Sequence, residues 1–245
     1  MTAVVGIWCQ DGVVIGTDSS ATFGVSPQLR SIEQPTDKIS IIGDQIILAA
    51  TGSVGLDQRF CDILDKVYKN GNGLFQDKDK WTIAKRICQA MLMDFQLTGI
   101  KPGGYGALIA FPCNDKHQLC EFCLVDFQPE FKDNRIWYTS MGSGQMITDP
   151  FLGLIREVFW EEGPPTLHNG IFAAYWAMDH VVCVNPGGIN KPIRIATLSK
   201  VDGKYIAKNL SEEELSYHQE NVKEAKIYLR AFTEKHKTEV DVPEL

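Results

Sequence analysis

Four short runs of β-forming residues stand ahead of the first helical pattern, and that order constrains the fold of this chain more than any other feature. Ala3 to Cys9 is apolar and β-branched, Gln10-Asp11-Gly12 is turn chemistry, and Val13 to Asp18 resumes the strand. Phe23 to Pro35 lacks periodicity and reads as a loop, after which Lys38 to Ile42 and Gln45 to Thr51 pair about the Gly43-Asp44 turn. Helical spacing of Leu56, Phe60, Ile63, Leu64 and Val67 predicts a helix over Val54 to Asn70, and Ile83, Ile87, Met91 and Leu97 predict a second over Trp81 to Leu97. Strands return at Ala107 to Pro112, Gln118 to Phe127 and Arg135 to Met141. Two more helices follow, Thr148 to Trp160 and one opened by Pro164-Pro165-Thr166 that ends near Asp179, then a hairpin of Pro192 to Lys200 and Lys204 to Ala207. Runs of strands alternating with helix pairs predict an α+β architecture of antiparallel sheets covered by helices, not a parallel sheet of βαβ units.

The C-terminal segment opens on Ser211-Glu-Glu-Glu214, a capping box in which serine and the third-position glutamate satisfy free helix N–H groups. It predicts a helical extension over about 211 to 236, with Leu215, Val222, Ala225, Leu229 and Phe232 as a stripe that docks on its own domain or on a second subunit. No Pro/Gly/Ser-rich linker or charge block divides the 245 residues, so residues 1 to 245 are expected to form a single domain. Twenty-four basic against 31 acidic residues, scattered, give a net charge of −7 and no footprint for nucleic acid or an anionic membrane. No apolar run reaches membrane-spanning length and no signal-peptide pattern opens the chain, so a cytoplasmic protein whose mature start lies near residue 1 or 2 is expected. Seven cysteines fit reduced, mostly buried thiols. Cys113, His117, Cys120 and Cys123 have the residue types of a zinc site, yet a separation of three along a strand sends Cys120 and Cys123 to opposite faces, so no metal is expected.

Thr2, directly behind the initiator methionine, is the residue with the sharpest chemical potential. Removal of Met1 would leave a hydroxyl and a free α-amine on one residue, a nucleophile carrying its own base. An α-amine, with a pKa of about 7.7 to 8.0, suits that task at neutral pH.

Taken in order, Thr2 to Thr22, Asp37-Lys-Ile-Ser-Ile-Ile, Leu48-Ala-Ala-Thr-Gly-Ser and Met141-Gly-Ser-Gly144 resemble the β-type subunits of the proteasome, within the N-terminal-nucleophile hydrolases. The resemblance covers roughly residues 2 to 200 and implies a four-layer αββα sandwich. It implies Thr2 as nucleophile, with Asp18, Lys38, the oxyanion-hole glycine Gly52, Ser143 and Asp179 completing the catalytic set. Lys38 would disfavour a second positive charge and hold the amine neutral, while Asp18 would keep the lysine charged and in place. Gly52, without a Cβ, would let its N–H approach the developing oxyanion, and Ser143 and Asp179 would hydrogen-bond around the amine. Two departures stand out. Ser20 replaces the family's usual arginine, and Val182 stands where a serine is common, with Pro186-Gly187-Gly188 arriving later. Exposure of threonine without a propeptide is most similar to the bacterial relatives, HslV, Anbu or the betaproteobacterial proteasome homologue, and the long C-terminal helix disfavours HslV.

The resemblance further implies a threonine-type endopeptidase that cleaves unfolded or short polypeptides inside a homo-oligomer of stacked rings. Ala21, Thr36, Ala50 and Val54 would line the first specificity pocket, with Thr22 backbone groups pairing with substrate as a strand. Such walls, uncharged, predict a preference for apolar residues. No cofactor is needed, and no Gly-x4-Gly-Lys-Ser/Thr occurs, so any ATPase would be a separate partner. The rival readings are an amidase of the same fold acting on a small molecule and a catalytically silent ring-forming scaffold.

Overall fold

The computed structural model describes residues 1–26, 29–70, 75, 79–101, 103–184 and 187–236, with the backbone alone over 22–33. Among them, two five-stranded antiparallel sheets lie face to face. The first has the order β10 (Tyr138–Met141), β1 (Val4–Trp8), β2 (Gly12–Thr17), β11 (Arg194–Val201), β12 (Lys204–Asn209). The second runs β5 (Ile39–Ile42), β6 (Ile46–Thr51), β7 (Gly106–Cys113), β8 (Lys116–Phe122), β9 (Pro129–Lys132). Five helices complete the described residues: α1 (Val54–Asn70), α2 (Lys80–Leu97), α3 (Gln145–Phe159), α4 (Leu167–Val184) and α5 (Glu212–His236).

The two-residue period of the strands sorts their side chains into layers. Val4, Val13 and Ile15 of the first sheet meet Ile47, Ala49, Leu108 and Leu119 of the second in a dry inter-sheet core. Their neighbours Val5, Ile7 and Val14 point the other way, onto Ala173, Ala174, Ala177 and Met178 of α4. Ile46, Leu48, Ile109 and Phe122 turn outward onto Phe60 and Leu64 of α1 and Ile83, Ile87 and Met91 of α2. Three cores between four layers make this an αββα sandwich, the α+β fold expected from the sequence. No described helix is long and apolar enough to cross a membrane.

Two expectations are corrected. The described residues of the segment Phe23 to Pro35 are not a loop: Ser20–Ser26 (β3) and Leu29–Pro35 (β4) pair as a separate antiparallel two-stranded sheet, with register shifts at Phe23/Gly24 and Gly24/Ser26. The strand expected from Gln118 to Phe127 ends at Phe122, because a turn closed by Phe127 N–H to Cys123 O (2.9 Å), with Phe127 at φ +61°, intervenes before β9. At the C-terminus the capping box forms in both directions, Glu214 N–H to Ser211 Oγ at 3.2 Å and Ser211 N–H to Glu214 Oε2 at 2.8 Å. Leu215 and Val222 of the stripe are buried with α4, whereas Leu229 and Phe232 are exposed.

Candidate active site

Strand register assembles the site. Val4 pairs with Met141 of β10 on one flank and with Thr17 of β2 on the other. The residues just outside those partners, Thr2, Ser143 and Asp18, therefore leave the sheet at one edge. The second sheet ends alongside, with Lys38 immediately before β5 and Gly52 immediately after β6.

The Lys38 ammonium donates to three oxygens: Asp18 Oδ1 at 2.7 Å, Thr2 Oγ1 at 3.2 Å and Met1 O at 3.2 Å. Its side chain is 9% exposed, and that of Asp18 is wholly buried. Burial pushes the lysine pKa below its ordinary value, and the charge and hydrogen bond of Asp18 act against that shift. Asp18 is itself fixed by the backbone, Oδ1 accepting from Ala3 N–H (2.9 Å) and Oδ2 from Ser20 N–H (3.1 Å). Position 20 thus supports the aspartate through its peptide N–H, which any residue except proline would supply.

Thr2 N–H donates to Ser143 Oγ at 3.1 Å, and Thr2 O accepts from Gly144 N–H at 3.2 Å. With Met1 attached, Thr2 N is a peptide nitrogen; loss of Met1 turns it into an α-amine already beside Ser143. Gly142 has φ +90°, and a Cβ there would lie 2.3 Å from Thr2 O, so only glycine lets the β10–α3 turn approach so closely. Behind that turn Thr148 Oγ1 donates to Ser140 Oγ (2.6 Å), which donates to Asp149. This buried brace is invisible in the sequence, where Ser140 is only one more residue of a strand pattern. Gly52 has φ +125°, with the Cβ direction blocked by Gly104 O at 2.3 Å.

Asp179 is placed elsewhere. Its carboxylate accepts from Lys226 Nζ of α5 at 2.7 Å and pairs with Lys191 at 3.4 Å. Although burial raises its pKa, these two lysines outweigh burial and hold it below the usual carboxylate value. The expected bond from Asp179 to the Thr2 nitrogen is therefore corrected: α4 turns this side chain toward the C-terminal helix. Pro186, in the later turn, lies outside the described residues.

Thr2, Ala21, Thr36, Lys38, Ala50, Gly52 and Val54 line one small cavity of about 90 Å³, together with Met1, Asp37, Thr51, Ser53 and Asp57. Two acidic residues on this wall correct the expectation of an uncharged pocket. Thr22 lies on β3 opposite Glu33, and its side chain is outside the described ones. Of the four zinc-type residues, Cys120 is buried under the helices while His117 Nε2 hydrogen-bonds Cys9 O at 2.9 Å; among the described residues no three His, Cys, Asp or Glu gather to hold a metal.

Comparison with known proteins adds three findings. The family described as Proteasome subunit matches residues 2–152. No curated protein matches. Among solved structures, Anbu (Gly-1) mutant from Hyphomicrobium sp. strain MC1 is similar with TM-score 0.73 and 12% identity, over 99% of this chain and 100% of that one. Anbu (ancestral beta-subunit) from Yersinia bercovieri gives 0.71 at 12%, over 99% of each. At such identity the likeness is one of fold.

Proposed function

The chain belongs to the proteasome subunit family and has its N-terminal-nucleophile hydrolase fold, and from that premise we propose that it is a threonine-type endopeptidase acting on unfolded or short polypeptides. The observation that carries this reading is the buried Lys38 ammonium shared between Thr2 Oγ1 (3.2 Å) and Asp18 (2.7 Å), in the wall of a cavity lined by both Thr2 and Lys38. A structural ion pair has no need of the Thr2 hydroxyl as a further partner. In this mechanism Met1 is removed, the Thr2 amine takes the hydroxyl proton, and Oγ attacks the scissile carbonyl. The amine then passes that proton to the departing amide nitrogen, leaving an ester on Thr2 that water hydrolyses. Lys38 keeps the amine neutral by charge repulsion and donates to Oγ as it becomes nucleophilic. Gly52 N–H supports the oxyanion, a contribution of about 3 kcal/mol where such donors have been removed. Ser143 orients the amine. No step calls for a cofactor. By family analogy we further propose one domain per chain and a homo-oligomeric ring with the sites enclosed.

Incubation with a peptide epoxyketone, which reacts with a hydroxyl and a free amine on the same residue, tests this reading. The expected result is one adduct on a Thr2-initiated peptide and loss of peptide hydrolysis. Intact Met1 and no adduct would favour a silent scaffold; an adduct with hydrolysis confined to small amides would favour an amidase.

A further inference from the structure

The cavity beside Thr2 is lined in part by a carboxylate. Asp57, in the first turn of α1, lines it together with Ala21, Ala50 and Val54. The phenol of Tyr105, itself buried, donates to Asp57 Oδ1 at 3.2 Å and fixes that oxygen. Among the described residues no cation pairs with Asp57. Asp37, the other acid on the wall, differs: its side chain is 79% exposed and faces Arg194 Nε at 3.5 Å. Lys38 is already committed to Asp18. A carboxylate oriented by a buried hydroxyl, short of a counter-charge and sharing a pocket with Ala21, Ala50, Gly52 and Val54, is suited to the end of a long cationic side chain.

We propose that Asp57 sets the substrate class of this site, favouring peptides with lysine or arginine just ahead of the cleaved bond. The proposal rests on the peptidase reading above and adds its specificity. Burial raises the Asp57 pKa and the Tyr105 hydrogen bond opposes that rise. The preference for a basic residue therefore grows as pH rises through that titration. The other titratable groups lining the pocket are Asp37 and Lys38 from the segment before β5, while Tyr105, from the segment before β7, touches Asp57 from outside that lining. Cys61, one turn along α1, adds to the upward shift of the Tyr105 phenol, which stays protonated throughout.

The test uses two fluorogenic peptides, identical except for lysine or leucine at the residue before the scissile bond. The ratio of their kcat/KM values cancels the titration of the shared catalytic groups. The unchanged protein is expected to favour lysine, with a ratio that climbs with pH. Asp57→Asn should lower the ratio at least about tenfold and flatten its pH dependence, whereas Asp37→Asn should change it less than about threefold because that carboxylate is solvent-screened. Tyr105→Phe removes the opposing hydrogen bond and should move the midpoint of the climb to higher pH. Cleavage of both peptides with a ratio unaffected by Asp57→Asn, or a ratio controlled by Asp37 instead, overturns the assignment of Asp57 while leaving the peptidase reading intact. Failure to cleave any peptide, with no epoxyketone adduct, overturns the peptidase reading and this proposal with it.

Discussion

Lys38→Ala separates a catalytic lysine from a merely structural one. Two like unit charges about 4 Å apart repel by ~4 kcal/mol at an effective dielectric of ~20, which at about 1.36 kcal/mol per pKa unit caps the lowering of the Thr2 amine at ~3 units. Asp18, 2.7 Å from the same ammonium, cancels much of that field, leaving on the order of one unit, or roughly fivefold in neutral amine near pH 7. The bond from Lys38 to Thr2 Oγ1 is charge-assisted, and its loss adds about 1.5 to 3 kcal/mol, or roughly 10- to 100-fold. Together the variant should lose on the order of 10²-fold in kcat/KM, inside the range for an acid–base partner. Removing the lysine also strands a buried carboxylate, at a cost of about 3 to 5 kcal/mol, eased by the two N–H groups that Asp18 keeps from Ala3 and Ser20. Turnover of a fluorogenic peptide is therefore measured alongside a circular dichroism melt and native mass. The double variant Asp18→Asn/Lys38→Met, which removes both charges, should recover stability without recovering turnover. A Lys38→Ala protein that is folded, assembled and as active as the unchanged one would refute the reasoning.

Three further outcomes are expected. Gly142→Ala should cost ~10²-fold in turnover, because a Cβ 2.3 Å from Thr2 O must displace the nucleophile and a shift of about 1 Å has that consequence; kinetics on protein with a near-native melt checks it. Asp179→Asn should lower Tm by roughly 2 to 4 °C through about 1 kcal/mol of lost pairing with Lys226 and Lys191, with kcat within about threefold; a hundredfold kinetic loss in folded protein would return Asp179 to the active site. His218, buried on α5 with its ring 4.9 Å from that of His168, has its pKa pulled from 6.5 to about 4, by burial first and by the charge of His168 second. The unfolded chain takes up a proton near pH 6.5 that the folded one resists until about 4. Stability is thus unaffected above that window and falls through it by up to ~3 kcal/mol. Urea midpoints from pH 7.5 to 4.5 should show the fall, and His218→Phe should flatten it; parallel curves would count against it.

The sheets and helices were legible wherever a side-chain period ran uninterrupted, as in β1, β2, α1 and α2. Phe23 to Pro35 misled because the register shifts at Phe23/Gly24 and Gly24/Ser26 break the two-residue repeat on which strand reading depends. The meeting of Thr2, Lys38, Asp18 and Ser143 was expected from the resemblance to proteasome β-type subunits, since spacing along the chain does not state which strands lie side by side. Asp179 could not be resolved in the same way. A helix position states a face, and which neighbour covers that face, here Lys226 from 47 residues on, is a tertiary fact. Asp57 was missed for a related reason: its spacing in α1 looks like ordinary acidic decoration of a helix start, and only the packing of Tyr105 and the end of β6 turns it to the cavity.

The pairing of Val4 on both flanks has a consequence for how this chain tolerates change. Peptide groups hold the nucleophile's position, and every residue except proline supplies them equally, so the side chains of β1 are free to drift among any that fill the two cores. Length is not free in the same way. One residue inserted between Thr2 and Val4 would carry the hydroxyl a full strand step of about 3.3 Å from Lys38, beyond the reach of a hydrogen bond, while the sheet itself closed as before. Under the proposed peptidase reading, the strand that carries Thr2 is thus robust to substitution and fragile to counting, and insertions or deletions near residue 3 are changes that would silence the site without unfolding the sheet.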